Sequence, residues 1–439
     1  SHPLVWKASG HVDNFGDILI ECKKCHQRFR GDHLIADVLK IQADGLTVNE
    51  INEKIKEHKI HCPSCKGELD SAQVFNLMLS TNVGPVQDKS SISYRRPETA
   101  QIIFTNYKLI YDTGRVKLPF GIAQIGKGFR NEISPRNFLF RVREFEQAEI
   151  EFFIHPKKIN NCQYFDDVKD FEVNMWTANS QKEKHHHKKY TIEKLVEEKI
   201  VKNKWHAYWL SQVCKWFLDL GIKPENIRLR EHLPEELAHY SKACFDIEYN
   251  FPFGWQEIHG MADRGTFDLS RHEEFSKKDL KVFDEETKEK VLPHVIEPSQ
   301  GIGRAFLTFL YDAYEHDPSN KERDWIVLKL HPKLSPNKVA VLPLVKKDGL
   351  YELALKVHKD LQKNFVSFFD TSGAIGRRYA RQDEIGTPFC ITIDYDSKEK
   401  HDVTIRNRDT TKQVRVDISK LRKTIRKLIE GEINFEDLL

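Results

Sequence analysis

The chain has 439 residues, of which 31% are charged and 39% hydrophobic, and its formal net charge is +3. This length allows two or three domains with sizeable cores, and the composition is that of an ordinary soluble globular protein. The small net charge is no argument for nucleic-acid binding by itself, and no apolar run approaches the length of a membrane span.

Four of the eight cysteines are scattered through the chain: Cys162, Cys214, Cys244 and Cys390. Isolated cysteines are typical of a reducing compartment, so we expect a cytoplasmic protein. No signal peptide is visible, but the first residues look like the middle of a domain. We therefore expect the natural N-terminus, with any targeting signal, to precede Ser1.

The other four cysteines form two CxxC pairs: Cys22 with Cys25, and Cys62 with Cys65. Four thiolates can close a tetrahedral Zn²⁺ site, although the intervening stretch, which contains a predicted helix over 45–58, is longer than in a standard zinc ribbon. Such a site would be structural, because four thiolates leave no open position. The alternatives are four free thiols, or ligation that includes His26, His33 or His61.

The next candidate residue is Glu98. Pro97 is expected to open a helix at its first turn, which places Glu98 at the helix N-terminus, where a carboxylate is favoured. Glu98 either caps this helix or is a functional carboxylate held beside the segment that follows.

That segment, residues 128–153, predicts a β-hairpin with its turn at residues 134–137. Successive side chains of a strand point to opposite faces. One face of the second strand carries arginines, acidic and amide groups, and one aromatic ring: Arg141, Arg143, Phe145, Gln147, Glu149 and Glu151. Arg130 and Glu132 share a face of the first strand, and the back of the hairpin is mostly apolar. This pattern favours a floor that binds an anionic, planar ligand.

Beyond the hairpin, the sequence predicts a helix and two strands: Trp205–Leu220, Ala243–Asn250 and Trp255–Arg264. The charged stretch 277–290 is expected to be an exposed loop or helix. A strand from Val295 enters a turn at Gly301 and Gly303, where the backbone can approach a ligand closely. The third glycine of a dinucleotide-binding fingerprint is absent. The following helix is predicted to bury its apolar side: Phe306, Leu307, Leu310, Ala313 and Tyr314.

The composition changes by residue 324, which indicates a domain boundary. Residues 325–439 alternate strands and helices and predict a small α/β domain with a mixed sheet. Its arginines suit phosphate contacts or, equally, an ordinary solvated surface. They are Arg377, Arg378, Arg381, Arg406, Arg408 and Arg415.

Together these motifs resemble those of class II aminoacyl-tRNA synthetases, and among them the homodimeric glycyl-tRNA synthetases. Residues 129–145 are similar to motif 2 of the class, and residues 301–304 with their helix to motif 3. Three stretches resemble the glycyl members in particular: Trp6–His11, Arg96–Gln101 and Glu297–Ser299. The likeness covers nearly the whole chain. Motif 1, which helps to form the dimer interface, is expected to precede residue 1.

Two positions depart from the family pattern. Arg95 stands where the family usually has leucine, and Ile102 where it has glycine. Neither residue is expected to touch substrate, so we expect the two differences to affect local packing more than activity.

The resemblance implies an α+β fold, with an antiparallel sheet flanked by helices and the hairpin as its floor. It implies a catalytic domain over residues 1–320, with a CxxC-containing insertion at 20–70 and a polar, helical insertion at 155–240. An anticodon-binding domain would occupy residues 325–439.

The resemblance also implies the reaction. Glycine attacks the α-phosphate of ATP, with Mg²⁺ present, and the glycyl group then passes to the 3′ end of tRNA(Gly). No editing domain is required, because a pocket that fits glycine excludes larger amino acids sterically. A homodimer is implied, and neither DNA nor a membrane is an expected partner.

By resemblance, three residues are assigned to catalysis and ATP together: Arg130 at the α-phosphate, Glu132 at the adenine amino group, and Arg304 at the γ-phosphate and one adenine face. Phe145 would stack on the other face, and Glu257 would hold Mg²⁺. Further nucleotide contacts are expected from Asn131, Phe140, Arg141, Val142, Arg143, Glu144, Ile258, Gly301, Ile302 and Gly303.

For glycine, the resemblance assigns Glu98, Glu149 and Glu297 to the ammonium group, and Ser299 to the space where a side chain would point. Arg30 would approach from the CxxC insertion. The other residues expected at this pocket are Phe145, Glu146, Gln147, Ala148, Pro298, Gln300 and Gly301.

Two alternatives stay open. One is a class II synthetase for serine, threonine, proline or histidine, against which Glu98, Glu297 and Ser299 speak. The other is an RNA-binding paralogue without catalysis, against which Arg130 and Arg304 speak, with the other ATP-site residues.

Overall fold

The computed structural model describes residues 2–41, 43, 45–88, 91–319 and 323–439. They group into two compact units. The first runs to Cys214 and includes Ile227–Leu307, and the second consists of Lys215–Asn226 and Thr308–Leu439. The domain end predicted at residue 320 lies outside the described residues, as does Ser1.

The first unit begins with short elements: α1 (Pro3–Ala8), α2 (His11–Asn14), β1 (Gly16–Glu21), β2 (Arg28–Arg30), α3 (Gly31–Leu39), α4 (Val48–Glu57), β3 (Gln73–Asn76), β4 (Ser80–Asn82) and β5 (Ile92–Tyr94). β1 pairs antiparallel with β2 and β3. The helices α3 and α4 share a small apolar core with this sheet: Ile20, Leu34, Ile35, Ala43, Ile51, Ile60 and Ala72. The CxxC segments are therefore attached to a small folded subdomain with its own core.

The chain continues through α5 (Ala100–Gly114), β6 (Phe120–Phe129), β7 (Glu144–Ile154), β8 (Glu172–Trp176), α6 (Ala178–Lys182), β9 (Lys188–Thr191), α7 (Ile192–Glu197), α8 (Lys204–Asp219), β10 (Ile227–Glu231), β11 (Ala243–Phe251), β12 (Gly254–Gly265), α9 (Phe267–Ser276), β13 (Val282–Asp284), β14 (Glu289–Val291), β15 (His294–Gly301) and α10 (Ile302–Ala313). Short 3₁₀ helices lie at Pro156–Lys158, Pro224–Asn226 and Pro234–Glu236.

One large sheet organises the first unit. Within the described chain its strand order is β6-β7-β15-β12-β11-β10-β8-β9. Neighbouring strands run antiparallel except β10 and β8, which are parallel. The predicted antiparallel-rich sheet is confirmed. Helices α5 and α9 cover one end of it through an apolar cluster that includes Phe104, Phe153 and Leu269.

The predicted hairpin exists, but its strands have other bounds. The first strand is β6, which begins at Phe120, and residues 130–143 form a long connection rather than strand ends. Asn137 and Phe138 have φ of 56° and 52°, so the backbone cannot stay extended there. The polar face of β7 is the more buried one, because Glu149 and Glu151 lie on it, whereas the apolar back is half-buried and packs Phe152 against Trp205 and Trp209.

Three other local predictions differ from the structure. Helix α5 begins only at Ala100, so Glu98 precedes the helix and its N-cap, Thr99. The stretch 277–290 contains the antiparallel pair β13–β14 instead of a loop or helix. Phe306 in α10 and Tyr314, which lies just after α10 in a short strand, are half exposed rather than inward.

The second unit continues with β16 (Tyr314–Glu315), β17 (Val327–Leu328), β18 (Val339–Pro343), α11 (Leu350–Leu361), β19 (Ser367–Phe369), α12 (Ile375–Glu384), β20 (Phe389–Ile393), α13 (Tyr395–Lys400), β21 (Asp402–Asn407), β22 (Gln413–Asp417), α14 (Ile418–Glu430) and a 3₁₀ helix at Phe435–Leu438. Its sheet has the order β19-β18-β20-β21-β22. β18 is parallel to both neighbours and the other pairs are antiparallel. The predicted mixed sheet is confirmed.

Several arginines expected on the surface of this unit are structural. Arg378, Arg406 and Arg408 are almost fully buried. Arg406 makes a two-point contact with Asp383 at 2.9 and 3.0 Å. A buried guanidinium must be paired in this way, so these residues are not available for phosphate.

Among the helices of the described residues, none is both long and apolar enough to cross a membrane.

Candidate active site

A cleft of about 260 Å³ lies in the first unit, against β7, β11, β12 and β15, the β6–β7 connection and the start of α10. Most of the residues predicted for ATP and glycine line it together: Glu98, Arg130, Glu132, Phe140, Arg141, Val142, Phe145, Glu146, Gln147, Glu149, Glu257, Ile258, Glu297, Ser299, Gly301, Gly303 and Arg304. Residues up to 206 positions apart thus meet at one site.

At one end of the cleft, Arg304 lies in the first turn of α10. Its Nη1 donates to the carboxylate and to the backbone carbonyl of Glu257, each at 2.9 Å, and its Nε donates to the carbonyl of Phe140 at 3.2 Å. The guanidinium lies 4.5 Å from the centre of the Phe140 ring. Although partial desolvation opposes the effect, Arg304 lowers the pKa of Glu257 to about 2. This end therefore presents a fixed cation beside an ionised carboxylate.

Arg130 and Phe145 form the neighbouring wall. The Arg130 guanidinium lies 5.1 Å from the centre of the Phe145 ring and donates to the carbonyl of Pro97 at 3.1 Å. Gly128 stands opposite Phe145 across the hairpin, and a Cβ there would come within 2.7 Å of the ring. The glycine therefore leaves room for an aromatic surface on the floor.

Glu132 and Arg141 lie in the β6–β7 connection. Arg141 Nη1 is 3.8 Å from the Glu132 carboxylate, and Arg143 Nε donates to the Glu132 carbonyl at 3.2 Å. Burial lowers the pKa of Arg141, while Glu132 opposes the shift. The connection thus brings several charged groups to the cleft without relying on strand pairing.

At the other end of the cleft, Arg264 is the hub of an acidic cluster. Its side chain is 1% exposed. Its Nε and Nη2 donate to Asp268 at 2.7 and 2.8 Å, and its Nη1 donates to Glu297 at 2.7 Å. Glu98 lies 3.8 Å away, and the guanidinium is 3.9 Å from the ring centre of Tyr240. The single guanidinium of Arg264 therefore lies within 3.8 Å of three carboxylates.

Glu98 is held from its other side by His11. His11 Nε2 lies 3.3 Å from the Glu98 carboxylate, and His11 Nδ1 lies 2.8 Å from the Ser9 hydroxyl. Gln101 Nε2 also donates to Glu98 at 3.0 Å. Burial alone would raise the pKa of Glu98, but His11, Arg264 and Gln101 outweigh it and hold the pKa below its ordinary value. Glu98 is therefore an ionised carboxylate on the cleft wall.

Glu149 and Ser299 face each other across β7 and β15. The Ser299 hydroxyl donates to Glu149 at 2.9 Å and accepts from Gln147 Nε2 at 2.9 Å. The backbone N–H and hydroxyl of Thr99 donate to the other Glu149 oxygen at 2.8 and 2.5 Å. Both oxygens of Glu149 and the hydroxyl of Ser299 are thus fixed in direction.

Burial dominates the titration of this acidic cluster. It raises the pKa of Glu149, with repulsion from Glu98 adding to the effect. It raises the pKa of Glu297 to about 8, where Arg264 opposes the shift and Glu149 and Glu98 add to it. The cluster has more carboxyl groups than cations, so it suits a ligand that brings a positive charge.

Some residues predicted for the site do not line the cleft: Arg30, Asn131, Arg143, Glu144, Ala148, Pro298, Gln300 and Ile302. Arg30 pairs with Asp32 at 2.6 Å, and Glu144 pairs with Lys127. Gln300 donates to the carbonyl of Ile258 at 2.8 Å beneath the cleft. Gly303 does line the cleft. A Cβ at this position would lie 3.1 Å from the carbonyl oxygen of Leu139, so the glycine allows the β6–β7 connection to pack closely against α10.

Other residues of the cleft wall were not predicted from the sequence: His232, Tyr240, Cys244 and Asp246. His232 Nε2 lies 2.7 Å from Asp246, and this contact raises the pKa of His232 to about 11 against the effect of burial. Arg264 and His11 were in predicted elements but received no role. The one available signal was an arginine followed four residues later by an aspartate, Asp268, at a strand–helix junction.

The four cysteines of the CxxC pairs do not line the cleft, and their Sγ atoms all lie within 4.8 Å of one another. The Cys22–Cys65 and Cys25–Cys62 Sγ distances are 3.5 and 3.7 Å. A tetrahedron with Zn–S bonds of about 2.3 Å has edges of about 3.8 Å, so this thiol set matches a four-thiolate site. Histidine is not part of this group.

Known proteins match this chain over both of its units. The family described as anticodon binding domain matches residues 338–428. The chain is 47% identical to a glycine–tRNA ligase of Caldanaerobacter subterraneus subsp. tengcongensis over 425 residues, which are 95% of this chain and 82% of the relative. It is 45% identical to one of Bacillus thuringiensis subsp. konkukian over 436 residues (98% and 85%) and 42% identical to one of Treponema denticola over 435 residues (98% and 83%).

An antiparallel-rich sheet that carries this cleft, on a chain with an anticodon-binding domain, defines a class II aminoacyl-tRNA synthetase. Several relatives with the same activity match almost the full chain at 42–47% identity. The chain belongs to the glycine–tRNA ligase family.

Proposed function

We propose that the chain joins glycine to tRNA(Gly) in two steps at this cleft. The glycine carboxylate attacks the α-phosphate of ATP, which gives glycyl-adenylate and pyrophosphate. The 3′-terminal ribose hydroxyl of the tRNA then attacks the glycyl carbonyl, and AMP leaves. The observation that carries this proposal is one cavity with an arginine and aromatic end and an acidic end closed by Ser299.

The arginine and aromatic end suits ATP. Adenine stacks on Phe145, Arg130 holds the α-phosphate, and Glu132 accepts from the adenine amino group. Arg304 meets the γ-phosphate and the other adenine face. Transfer at phosphorus depends on positioning and charge stabilisation, which fixed guanidinium groups supply without a covalent intermediate.

The Mg²⁺ that accompanies ATP would be held by Glu257, whose side chain is partly exposed to the cleft. The donor chemistry fits, because Mg²⁺ prefers carboxylate oxygen. A second carboxyl, that of Asp246, lies nearby: burial, and then repulsion from Glu257, raises the pKa of Asp246 to about 6. When bound, Mg²⁺ supplies charge neutralisation at the phosphates.

The acidic end suits the glycine ammonium group. Glu98, Glu149 and Glu297 converge there, and Ser299 stands where the Cα substituent of a larger amino acid would point. The hydroxyl is fixed by Glu149 and Gln147, so it does not swing aside easily. Selection for glycine then follows from a steric wall rather than from editing.

Further parts of the proposal concern assembly and location. The four cysteines hold a structural Zn²⁺, the enzyme works as a homodimer in the cytoplasm, and the C-terminal domain reads the anticodon. The thiol geometry supports the first of these, and the match over residues 338–428 supports the last.

Amino-acid-dependent exchange of pyrophosphate into ATP tests the activation step. We expect exchange with glycine, and little with alanine, serine or threonine. Exchange with serine but not glycine would favour a class II synthetase of another specificity, and no exchange with any of the four would refute the activation step.

A further inference from the structure

The face of the large sheet that carries the cleft continues beyond it towards the edge strand β9. Trp255 lies two residues before Glu257 on β12, so both side chains point to this face. Across β11, Glu248 stands directly opposite Glu257 on one side and directly opposite Arg228 of β10 on the other. Residues directly opposite each other in an antiparallel pair share a face. Arg228 and Trp255 therefore stand on the same side of the sheet as the cleft.

The same face extends over the last two strands. Arg230, two residues after Arg228, pairs with Trp176 of β8, and Asn174 of β8 pairs with Lys189 of β9. Because side chains alternate along each strand, these residues all lie on the cleft side. Neighbouring strands are about 4.8 Å apart, so the four steps from β12 to β9 span about 19 Å. An extended strand of a few nucleotides covers such a distance.

Aromatic rings occupy the middle of this face. The Arg228 guanidinium lies between two indole rings, 4.1 Å from the ring centre of Trp176 and 4.3 Å from that of Trp255. Its Nε donates to Glu248 at 2.7 Å, which holds the guanidinium in place. The His187 ring lies 5.7 Å from the Trp255 ring, and all three rings are half-buried. These rings are fixed before any ligand arrives, so binding to them costs little ordering.

Positive charge is concentrated at the β9 end. Residues 182–189 contain four lysines, three histidines and one glutamate, an excess of three positive charges that equals the formal net charge of the whole chain. Lys188 and Lys189 are exposed. Lys189 lies 3.5 Å from Glu172, but both side chains of this pair are open to solvent, where an ion pair contributes little. This end therefore attracts a polyanion.

We propose that these residues form an edge surface, consisting of Trp176, His187, Lys188, Lys189 and Trp255, that binds the unpaired 3′ end of the tRNA on its way to the cleft. Proteins hold single-stranded RNA by stacking its bases on aromatic rings and by placing cations at its phosphates. Bases of a duplex stack on one another, so only unpaired bases can lie on these rings. The inference rests on the proposed function and deepens it.

Binding measurements with two forms of the tRNA test the stacking. The full chain, without ATP or glycine, is titrated into labelled tRNA(Gly), either intact or shortened by its unpaired 3′ end, and fluorescence anisotropy gives Kd. We expect Trp176→Leu to weaken binding of the intact tRNA by at least about fivefold and to leave Kd for the shortened tRNA unchanged. Trp216→Leu changes a half-exposed tryptophan of α8 outside the edge surface, and it should behave as the parent.

Lysine footprinting tests the same surface without a variant. The parent chain is treated with an acetylating reagent alone, with saturating intact tRNA(Gly) and with saturating shortened tRNA, and mass spectrometry follows Lys188 and Lys189. Intact tRNA should slow acetylation of both lysines several-fold, and shortened tRNA should slow it less. The shortened tRNA serves as the control, because it keeps the rest of the molecule.

Three results would overturn the inference. They are unchanged acetylation of Lys188 and Lys189 with intact tRNA bound, equal protection by shortened tRNA, or a folded Trp176→Leu that binds intact tRNA as the parent does. The first two decide even where the variant does not fold. Pyrophosphate exchange needs no tRNA, so exchange with glycine beside any of these results would leave the proposed activation standing and remove only the edge surface.

Discussion

Arg304 and Glu257 form an ion pair with a 2.9 Å hydrogen bond between the first turn of α10 and strand β12. Arg304 is proposed to meet the γ-phosphate of ATP, and Glu257 to hold the accompanying Mg²⁺. The pair therefore fixes both side chains relative to each other in the cleft, where the proposal assigns them to ATP and Mg²⁺.

Arg304→Lys tests this arrangement. Lysine keeps the charge but loses the planar set of donors and the stacking over Phe140. Loss of charged hydrogen bonds worth about 1.5–3 kcal/mol should lower kcat/KM for ATP roughly tenfold to 150-fold in pyrophosphate exchange. Arg28→Lys, in an exposed pair with Glu21, is the matched control. An unchanged kcat/KM for ATP in the Arg304 variant would contradict the assignment.

Ser299→Ala tests the selection of glycine. The variant opens space beside the substrate Cα and removes the hydrogen bond to Glu149. We expect kcat/KM for glycine to fall and the alanine-to-glycine ratio of kcat/KM to rise, within the roughly 1–3 kcal/mol that one methyl group is worth. The measurement is exchange with each amino acid. Ser270→Ala on α9 is the control, and unchanged selectivity in Ser299→Ala would refute the role of the hydroxyl.

Arg264→Met tests the hub of the acidic cluster. Removing the guanidinium leaves Asp268 and Glu297 buried without their cation, which should destabilise the first unit by about 3–5 kcal/mol. Urea unfolding measures the loss. In a double-mutant cycle, Asp268→Asn should cost much less in the Arg264→Met background than in the parent. Additive effects would show that the contact carries no coupling energy.

Elemental analysis tests the metal. We expect one zinc per chain in the parent and a large loss in Cys62→Ser, while Cys162→Ser should retain the metal because Cys162 is not part of the thiol group. A parent chain without bound metal would refute the zinc site.

The sequence predicted the elements best where a local pattern determines them. The alternation at β7 indicated a strand, residues 325–439 alternate strands and helices as expected, and Trp205–Leu220 indicated a helix that the structure has as α8. The hairpin bounds failed because the charged connection at 130–143 alternates in polarity without pairing as a strand. The inward orientation predicted for Phe306 was wrong, because an apolar residue on a helix does not by itself show which side of the helix is covered.

The predicted site residues came from motifs, and most of them line one cleft. Their partners could not be predicted, because they are contacts over long distances in sequence. His11 reaches Glu98 across 87 positions, and Arg264 reaches Glu297 across 33. The opposition of Glu149 and Ser299 needs the β7–β15 register, which no local pattern in either strand determines.

Attachment of glycine to tRNA(Gly) is the activity proposed for this chain. The most direct measurement is the ATP-dependent formation of aminoacyl-tRNA from labelled glycine, with tRNA(Gly) and an unrelated tRNA as acceptors. We expect glycylation of tRNA(Gly) alone, and its near loss in Glu98→Gln, which removes a charge from the ammonium pocket. Folded parent protein that charges neither tRNA with glycine, or that attaches another amino acid to either, would contradict it.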